Sequence, residues 1–280
     1  MKNKFYPCLW FDGTAKQAAE LYTAAFGNTV ITADNGMVVM FEIDGCKIMG
    51  LNGGPMFKPN ASISLFAVFE NETAIDTAWE MLGEDGSVFM PLNKYPWSDK
   101  YGWMQDKFGI SWQLMLAKPG MMEQKIIPAL MFTQSVAGKA EEAMQLYTSL
   151  FPNGEIKDIS RYEKGEGDVE GTVKHGRFLL GGQLFVAMDS SVAHAFTFSE
   201  GVSISVSCDT QEEIDHYWNS LTANGGQESM CGWLKDKYGV SWQIVPSMLG
   251  SLMSDPEKGQ LVMQALMKMK KLDIATLTNA

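Results

Sequence analysis

Apolar and polar positions along the chain fall into short runs whose order restarts. An apolar run at 8–11 ends in the polar turn Asp12-Gly13-Thr14. Ala18, Leu21, Tyr22 and Ala25 then recur at helical spacing, which predicts a helix over Ala15–Phe26 with one buried face. Strand-like runs follow at 30–33, 37–43 and 46–51, the last two joined by Asp44-Gly45, a hairpin dipeptide. The order then repeats: a strand at 63–70, a helix at 73–82, and strands near 88–92, 101–106 and 111–116. Each half of the chain therefore predicts two strand–helix–three-strand units.

The second half is a copy of the first. Gly102-Trp103-Met104-Gln105-Asp106-Lys107-Phe108-Gly109-Ile110-Ser111-Trp112-Gln113 returns as Gly232-Trp233-Leu234-Lys235-Asp236-Lys237-Tyr238-Gly239-Val240-Ser241-Trp242-Gln243, identical at eight of twelve positions. Pro7-Cys8-Leu9-Trp10-Phe11 corresponds to Pro128-Ala129-Leu130-Met131-Phe132, and Leu21-Tyr22-Thr23 to Leu146-Tyr147-Thr148. A fixed internal repeat is the first organising fact of such a chain. It places copy one at 1–120, copy two at 125–250 and a helical tail at 251–280, with Pro119 and Gly120 punctuating the boundary. In the tail, Ser254-Asp255-Pro256-Glu257 predicts a helix start, Leu261, Val262, Ala265, Leu266 and Met269 an apolar stripe, and Lys268, Lys270 and Lys271 a cationic last turn.

Val202, Ile204, Val206 and Cys208 alternate with Ser203, Ser205 and Ser207. A strand sends alternate side chains to opposite faces, so the apolar set packs under a helix and the serines line the other face.

Composition narrows the function classes. The 280 residues are 46% hydrophobic and carry a net charge of −11. A duplex-binding surface needs clustered cations to displace counterions, so nucleic acid and anionic membrane are not expected partners. No run reaches the ~18 apolar residues of a membrane helix. Met1-Lys2-Asn3-Lys4-Phe5 leads into a strand without an apolar leader, and Cys8, Cys46, Cys208 and Cys231 show no metal-type spacing. A cytoplasmic protein with free thiols is expected. Twenty methionines suit irregular core packing.

Pro7-Cys8-Leu9-Trp10-Phe11-Asp12-Gly13, Leu51-Asn52-Gly53-Gly54-Pro55, Thr210-Gln211-Glu212-Glu213-Ile214-Asp215, Cys231-Gly232-Trp233-Leu234-Lys235-Asp236 and Ser241-Trp242-Gln243-Ile244-Val245-Pro246 resemble PhnB-like proteins of the vicinal oxygen chelate (glyoxalase/bleomycin-resistance) superfamily. The resemblance covers nearly the whole chain. It implies an α+β fold: tandem glyoxalase-like domains, each of two βαβββ units forming a half-open barrel, plus a C-terminal helix. It also implies an intrachain pseudo-dimer of the two copies, to which a further homodimer could be added.

In the metalloenzymes of that superfamily the cup holds a divalent cation between His and Glu ligands. The final-strand Glu position is Gln113 in copy one and Gln243 in copy two, and an amide is a weaker ligand than a carboxylate. The opening strands offer Pro7, Cys8, Ser62, Ser64, Ala129, Ser203 and Ser205, with no histidine; the chain's three are His175, His194 and His216. No metal and no cofactor are expected. Gln113 and Gln243 alternate with Trp112 and Trp242, so if the tryptophans face the helices the glutamines face the cup. The other ligand-binding candidates are Trp103, Trp233, Asn52, Asp189, His194, Ser203 and Ser205. Each has an ordinary structural alternative: core packing for the tryptophans, loop capping for Asn52, Asp189 and His194, a solvated sheet face for the serines.

Two functional classes follow. One is a protein that binds a small molecule in the cup without a metal. The other is an enzyme, either a metal-dependent lyase of the superfamily or the 3-demethylubiquinone 3-methyltransferase that this family's label names. No strand is followed by a glycine-rich loop of the kind that seats S-adenosylmethionine, and neither a phosphate-binding loop nor Gly-x-Ser-x-Gly occurs.

Overall fold

The computed structural model describes residues 4–280; Met1–Asn3, the start of the N-terminal stretch, lie outside the described residues. The chain forms two compact units. One comprises residues 6–202, the other 203–280 with Lys4 and Phe5.

The larger unit contains three strand–helix–three-strand modules, apart from Phe5, the first residue of the first strand. The first is β1 Phe5–Phe11, α1 Ala15–Phe26, β2 Thr29–Asp34, β3 Val38–Ile43 and β4 Cys46–Asn52. The second is β5 Ile63–Phe69, α2 Glu72–Gly83, β6 Ser87–Tyr95, β7 Ser98–Gln105 and β8 Ser111–Leu116. The third is β9 Ile126–Phe132, α3 Ala140–Leu150, β10 Glu155–Arg161, β11 Val173–Leu180 and β12 Gln183–Asp189. In each, the opening strand pairs parallel to the closing one: Cys8 with Met49, Leu65 with Trp112, Ala129 with Val186. Parallel neighbours need a crossover, and the helix supplies it. The opening strands are buried on both faces, which is why β5 and β9 read as near-continuous apolar runs.

Modules two and three share one sheet, in the order β10-β11-β12-β9-β5-β8-β7-β6. The seam is antiparallel, from Ile63 opposite Leu130 to Ala67 opposite Ile126. The end strands β10 and β6 do not pair with each other, so the sheet stays open. α2 and α3 cover one face. Two glycines lie close under those helices, Gly102 against a rigid ring and Gly176 against a flexible side chain. A Cβ on Gly102 would meet the Trp79 ring at 2.4 Å, and one on Gly176 would meet the Met144 side chain at 2.7 Å.

The twelve-residue repeat is a turn brace. Asp106 Oδ1 accepts from the N–H groups of Phe108 and Ile110 at 2.9 and 3.0 Å. Its Oδ2 accepts from Trp112 Nε1 at 2.9 Å and from the Tyr22 hydroxyl at 2.8 Å. Asp236 repeats the device with the N–H groups of Tyr238 and Val240 and with Trp242 Nε1. Trp112 and Trp242 are sealed in the core on the helix side.

The smaller unit holds the fourth module, β13 Val202–Cys208, α4 Gln211–Thr222, β14 Gln227–Glu228, β15 Trp233–Lys235 and β16 Ser241–Pro246, with strand order β14-β15-β16-β13. The tail departs from the single helix its pattern predicts. It forms α5 Leu249–Met253, α6 Gly259–Leu266 and α7 Ile274–Thr278. Ser254 closes α5 instead of opening a helix, and Asp255 Oδ1 accepts from the N–H groups of Glu257 and Lys258. Gly259 follows where a Cβ would meet the Met253 carbonyl at 2.3 Å, a chain reversal the apolar stripe does not encode. Lys270 and Lys271 lie beyond the helix end and pair with Glu228 and Asp215 at 3.5 and 2.7 Å. Val262, Leu266, Leu272 and Leu277 form the tail's core, against which Cys231 and Val245 pack. Among the described residues no helix is long and apolar enough to cross a membrane.

Candidate functional site

The face of the eight-stranded sheet away from α2 and α3 follows from register. Gln113 lies opposite Phe66 on β5 and opposite Trp103 on β7, and alternation adds Ser64, Val68, Ser111, Met115 and Tyr101 to the same side. Across the seam the face continues through Ile127, Ala129, Leu184 and Val186. Phe66, Val68, Tyr101, Ile127, Ala129, Leu184 and Val186 form one buried cluster; Met90, Tyr95, Trp103, Met115, Leu179 and Met188, only partly buried, pack against it.

Gln113 is the polar centre of this apolar surface. Its side chain is 2% exposed, and its Oε1 accepts from the Tyr101 hydroxyl at 2.7 Å. Burial, with Tyr95 adding to it, holds the Tyr101 phenol well above its ordinary pKa, so it remains a donor. That bond fixes the amide: the oxygen turns to Tyr101 and the NH2 away from it. Among the described residues the Gln113 NH2 makes no hydrogen bond, and it is not one of the solvent-sealed orphan atoms. The NH2 is therefore unpartnered among the described residues and not fully sealed at the floor of the face. Beside it Trp103 Nε1 donates to Ser111 Oγ at 2.8 Å, and Ser111 and Ser64 share a hydroxyl bond of 2.9 Å. Aromatic rings border the site. Phe89 packs on Trp103 at 4.9 Å, and Tyr95, Trp97 and Tyr101 lie within 5.1 to 5.8 Å of one another. Phe89 and Trp97 are exposed.

The fourth module arranges the corresponding residues differently. Gln243 lies opposite Trp233 and Ser205 and spends its NH2 on Ser203 Oγ at 2.9 Å. Ser205 Oγ and Ser241 Oγ are buried without a partner. Val245, two residues from Gln243 on the same face, is packed by the C-terminal helices.

The remaining candidates stand elsewhere. Asn52, at the end of β4, accepts from Ala15 N at 3.0 Å and so holds the start of α1. Asp189, at the end of β12, does the same for α3 through Ala140 N and also accepts from Val173 N, at 3.0 and 2.9 Å. Burial raises its carboxyl pKa, and those bonds oppose the rise. His194 bonds Ser190 Oγ at 2.9 Å and lies on Phe196, in the loop after β12. None of the three joins Gln113. The pattern reading did not single out Tyr101, Phe66, Met90 or Tyr95. Two-residue alternation from Trp103 would have indicated Tyr101, but its bond to Gln113 depends on the β7–β8 register.

The donor set does not suit a divalent cation. Around Gln113 stand hydroxyls, a phenol, an indole and an amide whose oxygen is already engaged. Among the described residues no three His, Cys, Asp or Glu side chains gather closely enough to hold a metal. His175 sits on β11 of the same sheet, its pKa lowered by burial.

The family model described as 3-demethylubiquinone-9 3-methyltransferase matches residues 3–115 and 124–245. Similar solved structures include a PhnB protein from Bacillus cereus, 35% identical over 39% of this chain and 96% of that one, with a TM-score of 0.37. Glyoxalase I from Zea mays is 9% identical over 85% of this chain and 89% of that one, with a TM-score of 0.56. The likeness to the maize protein shows the fold, a tandem glyoxalase-like α+β architecture. No curated protein matches the chain.

Proposed function

The chain belongs to the family described as 3-demethylubiquinone-9 3-methyltransferase, and within that family we propose that it binds a small, flat, largely apolar molecule on the Gln113 face, without a metal. The observation that carries this reading is the unpartnered NH2 of Gln113 at the floor of an aromatic- and methionine-rimmed surface. A buried polar group normally finds a partner, so two donors left over in an apolar setting suit a ligand oxygen. The rim supplies flat apolar area, which suits an aromatic ligand body.

Turnover is the weaker reading. A general base must lie within hydrogen-bond reach of the proton it takes, and the group bonded to Gln113 is a phenol held protonated by burial. The methyl transfer named by the family description would also need a seat for its methyl donor, and no strand leads into a glycine-rich loop that could form one.

Fluorenone and fluorene, matched in shape but differing in the carbonyl oxygen, test the reading by tryptophan-fluorescence titration. Fluorenone should bind more tightly than fluorene. Gln113→Leu should remove that difference, about fivefold for one neutral hydrogen bond, and leave fluorene unchanged. Equal binding of the two compounds by the wild type, or an unaltered preference in the variant, refutes the proposal.

A further inference from the structure

Among the described residues, Lys4 and Lys125 are the two buried lysines, 9% and 8% exposed. Lys4 is paired, its ammonium 2.6 Å from Glu213. Lys125 has no carboxylate within 4.0 Å and no side-chain hydrogen bond among the described residues. Its nitrogen lies 3.5 Å from the centroid of the Phe69 ring and 6.0 Å from that of Phe26, two rings stacked on each other at 5.9 Å. The backbone there is fixed, since the Lys125 carbonyl accepts from Val68 N at 2.9 Å. The amine is still not sealed. Among the described residues, the fully buried side-chain atoms without a hydrogen bond are Thr29 Oγ1, Ser205 Oγ and Ser241 Oγ, and the unbonded Lys125 nitrogen is not one of them, so it keeps some contact with solvent.

An ammonium in this setting gains from the ring face but lacks the counter-charge that a buried cation ordinarily has. We propose that Lys125 is an acyl-acceptor site, modified by small activated acyl donors of the thioester or acyl-phosphate class. The neutral amine attacks the acyl carbon and the new C–N bond forms. The C–S or C–O bond to the leaving group breaks with its electron pair, and the nitrogen gives up one proton to solvent. The product is a neutral amide. It suits the Phe26–Phe69 surface better than the cation does, because no charge remains to be solvated. Burial supports the step by drawing the Lys125 pKa down from 10.5 to about 8, against the opposing pull of Asp44, Cys46 and Glu70. At neutral pH about a tenth of such amines are unprotonated, against roughly three in ten thousand for an ordinary lysine. Lys100 is the natural comparison, since Asp76 and Glu72 hold its ammonium at 2.6 and 3.2 Å.

Limiting N-acetoxysuccinimide, then acetyl phosphate, is applied to the full chain at neutral pH, and site occupancy is read by peptide mass spectrometry. Lys125 should acetylate at least about tenfold faster than Lys100, and the two rates should converge in concentrated guanidinium. Chain acetylated at Lys125 should melt at a higher temperature than unmodified chain. Equal rates in the folded protein overturn the proposal. So does an advantage that survives unfolding, or a lower melting temperature after modification.

Discussion

Asp106→Asn puts the repeated turn brace to a quantitative test. The carboxylate serves four donors, two per oxygen. Asparagine keeps one acceptor oxygen, which can still serve the N–H groups of Phe108 and Ile110. Its NH2 then faces Trp112 Nε1 and the Tyr22 hydroxyl. The hydroxyl can rotate and accept, but an indole N–H cannot. Trp112 is fully buried, so its donor loses the carboxylate and is left to compete with the new NH2 for the Tyr22 hydroxyl, at a cost of about 1–3 kcal/mol. Part of this is offset, because burial disfavours the Asp106 carboxylate and raises its pKa despite the four bonds. A net loss of about 2 kcal/mol is expected. The assay is urea denaturation followed by circular dichroism, read on the transition of the larger unit. Trp112→Phe closes a double-mutant cycle. Once the indole N–H is gone, Asp106→Asn should cost about 1 kcal/mol less. A single-variant loss below about 0.5 kcal/mol, or an additive cycle, refutes the brace.

Two further outcomes follow from the packing. Lys125→Met should stabilise the chain at neutral pH. The folded-state pKa of about 8 lies below the ordinary 10.5, so the folded chain binds fewer protons than the unfolded chain between those values, and wild-type stability climbs as pH rises through that window. The gain in the variant should reach about 3 kcal/mol below pH 8 and fade toward pH 10.5; a pH-independent difference in denaturation midpoints counts against it. Asp189→Ala removes the acceptors for Ala140 N and Val173 N and should cost about 2 kcal/mol, with hydrogen-exchange protection lost at those two amides first; unchanged protection there excludes the capping role.

Local pattern decided the elements. The helix Ala15–Phe26 and the strands Ser111–Leu116 and Val202–Cys208 stand where spacing and alternation place them, because each carries its own amphipathic period. β6 and β7 run longer than their apolar cores, since Asn93 pairs with Tyr101 and Ser98 with Tyr95 in a ladder that no hydrophobic pattern records. The tail escaped for a related reason: its stripe encodes one apolar face, and the reversal at Gly259 is set by crowding against Met253. That Gln113 turns away from the helices was legible from its alternation with Trp112. That its oxygen meets Tyr101, leaving its NH2 free, depends on the pairing of β7 with β8.

By itself the sequence determined a strand–helix–three-strand module and its fourfold recurrence. Tertiary structure alone decided that module two shares its sheet with module three, along β5 and β9. The physical reason lies in the repeat. Every module opens on a strand that pairs parallel to its own closing strand, so local pattern cannot say which edge meets which. Only the Ile63–Leu130 register does so, and it brings Phe66 against Ile127 and completes the surface around Gln113.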